Sequence, residues 1–146
     1  MFKKIDPNFS CKYQGAICFC EWEGKILMLK RSPASLQGGL WTAAPGGKLE
    51  TGETPLVAVV REVREETGIE LEAGKLASKG CYLCSFGEIE YLLHIFYVRL
   101  SSLPTVFIDP KEHTEYLWAT VEEAHQMPLM RGGAECLQVV FKNRVM

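Results

Sequence analysis

Apolar residues dominate two short runs, Tyr13 to Cys20 and Lys25 to Lys30, on either side of Glu23-Gly24, a pattern that predicts a β-hairpin. Cys18 and Cys20 alternate within the first run, so both line one face of a strand as small hydrophobes. Residues 32 to 40, SPASLQGGL, have the composition of a loop. The period then changes. Leu56, Val59, Val60, Val63 and Thr67 fall within about 60° either side of one line on a helix that turns about 100° per residue. Thr54 is the predicted N-cap, Pro55 the first helical residue and Gly68 the stop.

Gly80 to Phe86 and Glu90 to Leu100 read as a second strand pair around Gly87. The latter run is apolar at odd and even positions alike, which suits a central strand covered on both faces. Residues 101 to 114, with Pro104 and Pro110, read mostly as loop, and Tyr116 to Ala119 as a short strand. Thr120 opens a helix with a capping box to Glu123. Pro128 and Gly132-Gly133 then precede a final helix whose stripe is Ala134, Leu137, Val140 and Phe141. Strands mixed with two or three helices predict an α/β domain with a sheet covered on both faces.

At 146 residues, without repeats or low-complexity linkers, the chain is expected to be one domain spanning 1–146. Net charge is −2 and Lys and Arg are scattered, so no basic footprint for a nucleic-acid polymer is present. No segment has the 18 or more apolar residues of a membrane span, and MFKKIDPNFSCKYQ lacks the apolar core of a signal peptide. A cytoplasmic location is expected, with its six cysteines reduced. Cys81 and Cys84 form a single CxxC without the second ligand pair of a zinc site or the strand-then-helix context of a redox motif; Cys11 and Cys136 show no pattern. His94, His113 and His125 have no ligand spacing, and His94, in an apolar strand, reads as a core or cleft-wall residue.

The chemistry is concentrated between Gly47 and Ile69, GKLETGETPLVAVVREVREETGI. Glu62, Glu65 and Glu66 lie at i, i+3 and i+4, which puts three carboxylates on one side of the predicted helix, on the flank of its core stripe. Like charges so placed repel. A hard divalent cation, which takes carboxylates, waters and substrate phosphates as ligands, turns that repulsion into attraction. Pro45-Gly46-Gly47 and Thr51-Gly52-Glu53 are turn chemistry that brings Glu53 to the start of the helix. The plainer reading of three acids is the solvated rim of an amphipathic helix.

The same stretch resembles the Nudix box, G-x5-E-x7-R-E-U-x-E-E-x-G-U with U a bulky apolar residue. Gly47, Glu53, Arg61, Glu62, Val63, Glu65, Glu66, Gly68 and Ile69 all occupy matching positions. The resemblance implies an α/β/α sandwich with a mixed sheet between helices. It also implies hydrolysis of a nucleoside diphosphate linked to another moiety, with Mg²⁺ or Mn²⁺ as cofactor, and it is compatible with a homodimer. Glu62, Glu65 and Glu66 are then the metal ligands, with Glu65 and Glu66 the surest. Glu53 is a further ligand or orients the water. Arg61, always protonated, serves catalysis by pairing with a box glutamate. Gly46 and Gly47 belong to the substrate-binding loop, and Glu50 reads as a solvated acid.

Outside the box, Glu115, in EHTEYLWATVEEA, resembles a family glutamate that assists the metal or base, with Glu112 its rival. Lys30-Arg31 resembles a basic pair near the phosphates. Trp41, Tyr82, Phe86 and Trp118 are aromatic candidates for stacking on a base, against packing in the core. The run from Trp41 to Gly47 carries one residue more than the family pattern, which predicts a bulge in the strand entering the loop. The C-terminal Asn segment of the 8-oxo-dGTP group has no counterpart. The leading expectation is conversion of a nucleoside triphosphate to monophosphate plus pyrophosphate. The alternatives are hydrolysis of ADP-ribose, a nucleotide sugar or a dinucleoside polyphosphate, and, in another class, a non-catalytic nucleotide-binding or sensor module.

Overall fold

A computed structural model describes residues 2–5, 11–86 and 88–142, apart from the side chain of Phe86; Gly87 and the stacking role considered for Phe86 lie outside the described residues. In chain order the strands are β1 (Phe2–Ile5), β2 (Gln14–Trp22), β3 (Lys25–Arg31), β4 (Trp41–Thr42), β5 (Gly46–Lys48), β6 (Ala77–Phe86), β7 (Ile89–Arg99) and β8 (His113–Thr120). The helices are α1 (Pro55–Thr67), α2 (Val121–His125) and α3 (Gly133–Phe141).

The sheet is built on a parallel pair formed by strands distant in the chain. β2 runs alongside β7, with Gln14 opposite Leu92 and Glu21 opposite Arg99. β7 pairs antiparallel with β6, and β6 with β1. The expected β2–β3 hairpin forms only next to its turn, at Glu21–Ile26 and Trp22–Lys25. Beyond that the strands part: β3 pairs with β8 and β4, and the start of β2 pairs with β5. Pro45 spans the divergence, its carbonyl accepting from Cys18 N at 3.0 Å. A mixed sheet that splits at one end in this way leaves a cleft at the split.

Strand alternation then sorts the side chains between two layers. Ala16, Cys18, Cys20, Leu27 and Leu29 face one side and pack with Val59 and Val63 of α1. Phe19, Ile26 and Met28 face the other and pack with Leu137 and Phe141 of α3, where the Phe19 and Phe141 rings meet edge to face at 5.3 Å. Each fully buried side chain of this size contributes roughly 1.5–3 kcal/mol. The result is the expected α/β/α sandwich. Among the described residues no helix is long and apolar enough to cross a membrane.

Several sequence expectations are corrected. β1, with its two central lysines exposed, carried no apolar pattern and was not expected. β8 begins at His113, inside the stretch read as loop, and β6 begins at Ala77. The expected bulge after Trp41 is instead a break: β4 pairs with β3, β5 pairs with β2, and the extra residue lies in the crossing between them. There Thr42 Oγ1 donates to Ala44 O at 2.9 Å. In α3 the buried stripe is Cys136, Leu137 and Phe141, and Ala134 is exposed. Cys81 and Cys84, three apart on β6, point to opposite faces, so the CxxC cannot close on itself; both are buried and neither is in a disulfide.

Candidate functional site

Local chemistry fixes α1 at both ends. Thr54 Oγ1 accepts from Val57 N at 3.2 Å, Pro55 follows at the first helical position, and Gly68, at φ 77°, donates from its N–H to Arg64 O at 2.9 Å. Ahead of the helix, Glu53 N donates to Glu50 O at 3.0 Å and Glu50 N to Glu53 Oε1 at 2.8 Å, which folds the turn and delivers Glu53 to the flank of α1.

Arg61 organises the acids. Its Nε and Nη2 grip Glu53 in a two-pronged contact, 2.7 Å to Oε2 and 2.8 Å to Oε1, while Nη2 also donates to Lys48 O at 3.1 Å. Nη1 reaches Glu62 Oε1 at 2.9 Å and Glu65 Oε2 at 3.2 Å. Exposed Glu50, expected to be solvated, stands 3.6 Å from the same nitrogen. The consequences for protonation are opposite at the two ends of this cluster. Arg61, with the backbone of Glu50, holds the Glu53 carboxyl down to about 2. Glu62 is pushed above the ordinary carboxylate value by burial, against the pull of Arg61.

Glu66 is the most deeply seated of the box acids. Burial pushes its carboxyl up to about 8, the neighbouring charges of Glu62 and Glu112 add to the rise, and the Gly46 N–H and Arg31 oppose it. Its Oε1 accepts from Gly46 N at 3.1 Å. The two loop glycines therefore seat carboxylates. A Cβ on Gly47 would fall 2.5 Å from the Glu62 carboxyl carbon, and one on Gly46 would fall 2.1 Å from Ala16 O.

The structure separates the residues expected from outside the box. Lys30 and Glu115 are cross-strand partners and form an ion pair at 3.3 Å, so each answers the other. A register shift follows between Lys30 and Arg31, and Arg31 stands opposite His113. Beyond that shift, Glu112 acts electrostatically on Glu62 and Glu66, and Arg31 acts on Glu66. The charge of Glu112, ranked second from the sequence, thus bears on two box carboxylates, whereas Glu115 pairs with Lys30. His94, buried as expected, has its Nε2 2.9 Å from Gln14 Oε1.

The donor set fits a hard divalent cation, since the charges of Glu62 and Glu112 add to the rise at Glu66, and those of Glu65 and Glu112 to the rise at Glu62, with Arg31 the counter-charge at Glu66. In the present arrangement Arg61 takes up Glu62 and Glu65, and among the described residues no three acids converge in ligating geometry. Holding a cation requires Glu62 and Glu65 to turn from Nη1 towards Glu66.

On the other face of the sheet, just before Gly46, Thr42, Ala43 and Ala44 border a small apolar pocket of about 160 Å³. Phe2, Phe19 and Tyr91 supply its rings, and Met130–Gly133 one wall. None of Trp41, Tyr82 and Trp118 lines it: Trp41 packs on the α3-side core, Tyr82 stacks on Phe2 at 4.7 Å, and Trp118 meets Trp22 at 6.4 Å. The pocket's residues come from six separate stretches of chain, and no spacing in the sequence marks them. A larger groove of about 500 Å³ lies beyond the end of α1, between residues 68–75 and 98–107, and none of the box acids lines it.

Fold and site together define a class, that of α/β/α sandwiches carrying a glutamate-rich helix beside a glycine loop. The model of the NUDIX domain matches residues 13–139. Over 111 residues the chain is 38% identical to the CTP pyrophosphohydrolase of Escherichia coli, covering 75% of this chain and 76% of that protein. Over 104 residues it is 36% identical to an ADP-ribose pyrophosphatase of Bacillus subtilis, covering 70% of this chain and 55% of that one. The crystal structure of a MutT protein from Methanosarcina mazei superposes with a TM-score of 0.76 at 26% identity, over 92% of this chain and 99% of that one. The chain belongs to the Nudix family and is a Nudix hydrolase, an enzyme of pyrophosphohydrolase type.

Proposed function

We propose that the enzyme hydrolyses a nucleoside triphosphate to the monophosphate and pyrophosphate, with Mg²⁺ or Mn²⁺ held by Glu62, Glu65 and Glu66. The observation that carries this reading is the electrostatic link of Glu66 with Glu62, Glu112 and Arg31, with Gly46 joining Glu66 on the α1 face to residues 42–44 that border the small apolar pocket across the sheet. A bound divalent cation neutralises phosphate oxygens and makes water a better nucleophile. Arg31 adds positive charge on the phosphate side. The pocket takes the nucleoside, and the phosphates pass through the split in the sheet, by Gly46, to reach the carboxylates on the α1 face. Water attacks that phosphorus, the bond to the bridging oxygen breaks, and pyrophosphate leaves.

Glu112 is the group that accepts the water's proton in this reading. Glu53 is a poor candidate: Arg61 engages both its oxygens and holds it near 2, so it stays ionised and takes no proton near neutrality. Its role is to anchor Arg61, which in turn positions Glu62 and Glu65. Identity to the CTP pyrophosphohydrolase favours triphosphates, and identity to the ADP-ribose pyrophosphatase supports a second reading in which a conjugate is cleaved. Reaction in ¹⁸O-water tests the proposal. Label in the monophosphate is expected; label in pyrophosphate means β attack, and orthophosphate as first product overturns both.

A further inference from the structure

The loop between β3 and β4 ties the phosphate side of the molecule to the pocket. At its base Arg31 donates from Nε to Leu36 O at 2.7 Å, and its backbone exchanges bonds with Leu40 and Gly39 at 2.9 Å each. At its far side the side chain of Gln37 accepts from Arg131 N at 2.7 Å, across a sequence separation of 94. Two backbone bonds continue the seam, Trp41 N to Pro128 O and Met130 N to Trp41 O, at 2.9 Å each. Residues 130–133, so fastened, are one wall of the apolar pocket.

Gln37 stands out in two respects. Its backbone is left-handed, at φ 56°, although it is neither glycine nor asparagine, the residues that take this conformation readily. Its side chain also makes one of the bonds that hold the seam between this loop and residues 128–131, beside the two backbone bonds of Trp41.

We propose that Gln37 is a positioning residue for base selection: its amide sets the place of the Met130–Gly133 wall and couples it to Arg31. The inference rests on the pocket being the nucleoside site. A polar tie acting on a pocket wall affects how well one base fits relative to another, and acts little on the chemical step, which proceeds on the opposite face at α1.

The test compares Gln37→Ala, Gln37→Glu and Cys136→Met, each checked for cooperative melting, on a panel of nucleoside triphosphates and ADP-ribose. Cys136 lines the pocket, and methionine there fills part of it. Losing one hydrogen bond at the wall is expected to raise KM in Gln37→Ala about fivefold and to narrow the discrimination between bases, with kcat changed far less. Gln37→Glu retains the acceptor and is expected to restore both. If Cys136→Met raises KM while Gln37→Ala does not, the role of Gln37 is overturned and the pocket assignment stands. If neither variant moves KM or discrimination, the pocket assignment falls and the proposal with it. A raised KM with unchanged discrimination, unrescued by Gln37→Glu, would mean general loosening and would also overturn it.

Discussion

The two faces of the sheet solve different problems with different materials. On the α1 face the site is made of charge: Arg61 spans four glutamates, and Glu66 sits buried beside Glu62 and Glu112. On the α3 face the proposed nucleoside pocket is made of shape: small loop residues, three rings and a wall held by hydrogen bonds from a distant loop. Charge acts on what all nucleotide substrates share, the phosphates. Shape acts on what distinguishes them. In the proposed reading the reaction and its selectivity are separable, and substitutions on one face should spare the property set by the other.

The hardest test of that division is chelation. Turnover is expected to vanish in EDTA and return with excess Mg²⁺ or Mn²⁺, measured by product chromatography; undiminished turnover in chelator would show that the α1 face does not act through a cation. Next in size is Glu66→Gln, which keeps shape and removes charge, and which should lower kcat by about 10³-fold with the base preference intact. Glu50→Gln, at an exposed position and only 3.6 Å from Arg61, should change kcat by less than about twofold. Equal effects of the two would erase the distinction between them. Arg61→Lys loses the two-pronged hold on Glu53 while keeping the charge, and a fall of about 10- to 100-fold in kcat/KM is expected.

A smaller effect sharpens the electrostatic half of the comparison. In chelator, between its ordinary 4.5 and its folded value of about 8, Glu66 is neutral in the folded chain and ionised in the unfolded one. Its contribution is fully present below 4.5 and is lost as pH rises through 8. Unfolding free energy should therefore decline from pH 5 to 8 in the wild type relative to Glu66→Gln, by on the order of a few kcal/mol. His94 and His113, held neutral by burial, lose stability as pH falls below their ordinary range, and they are common to both proteins. Parallel curves would mean that Glu66 is not desolvated. Smallest of all is the thiol test: Cys84 is pushed to about 11 and Cys136 to about 12 by burial, whereas Cys11 is half-exposed. A disulfide reagent at pH 8 should modify Cys11 in the native protein and spare both pocket thiols.

What was readable in the sequence followed the range of the interaction. The caps of α1 and the capping box of α2 act over three or four residues, so Thr54, Gly68, Thr120 and Glu123 announced them directly. The box acids were readable for the same reason, being fixed on one helix. The pairing of β2 with β7 depends on residues far apart, and nothing in either run names its partner. β5, Gly-Gly-Lys, reads as turn because its strand character comes wholly from β2 alongside it. That Glu115 stands opposite Lys30, with Glu112 beyond the register shift that follows, is contained in no periodicity. The roles within the cluster were likewise hidden: that Arg61 grips Glu53 with two prongs, and Glu62 and Glu65 with one, is a matter of geometry that spacing does not specify.

The parallel pairing also sets an order of events during synthesis. α1 is complete long before β7 exists, yet a helix of 13 residues is marginal in water without a surface to pack on. That surface includes Phe96 and Val98 of β7, and until they arrive the long edge of β2 has no partner. Assembly of this sheet is thus dominated by contacts of high sequence separation, the kind that close slowly and leave an unpaired edge in the interim. The acids can be translated, and even locally helical, well before they stand where a nucleotide could use them: catalytic competence comes at the end of folding, and a chain stopped after α1 should gain none of it.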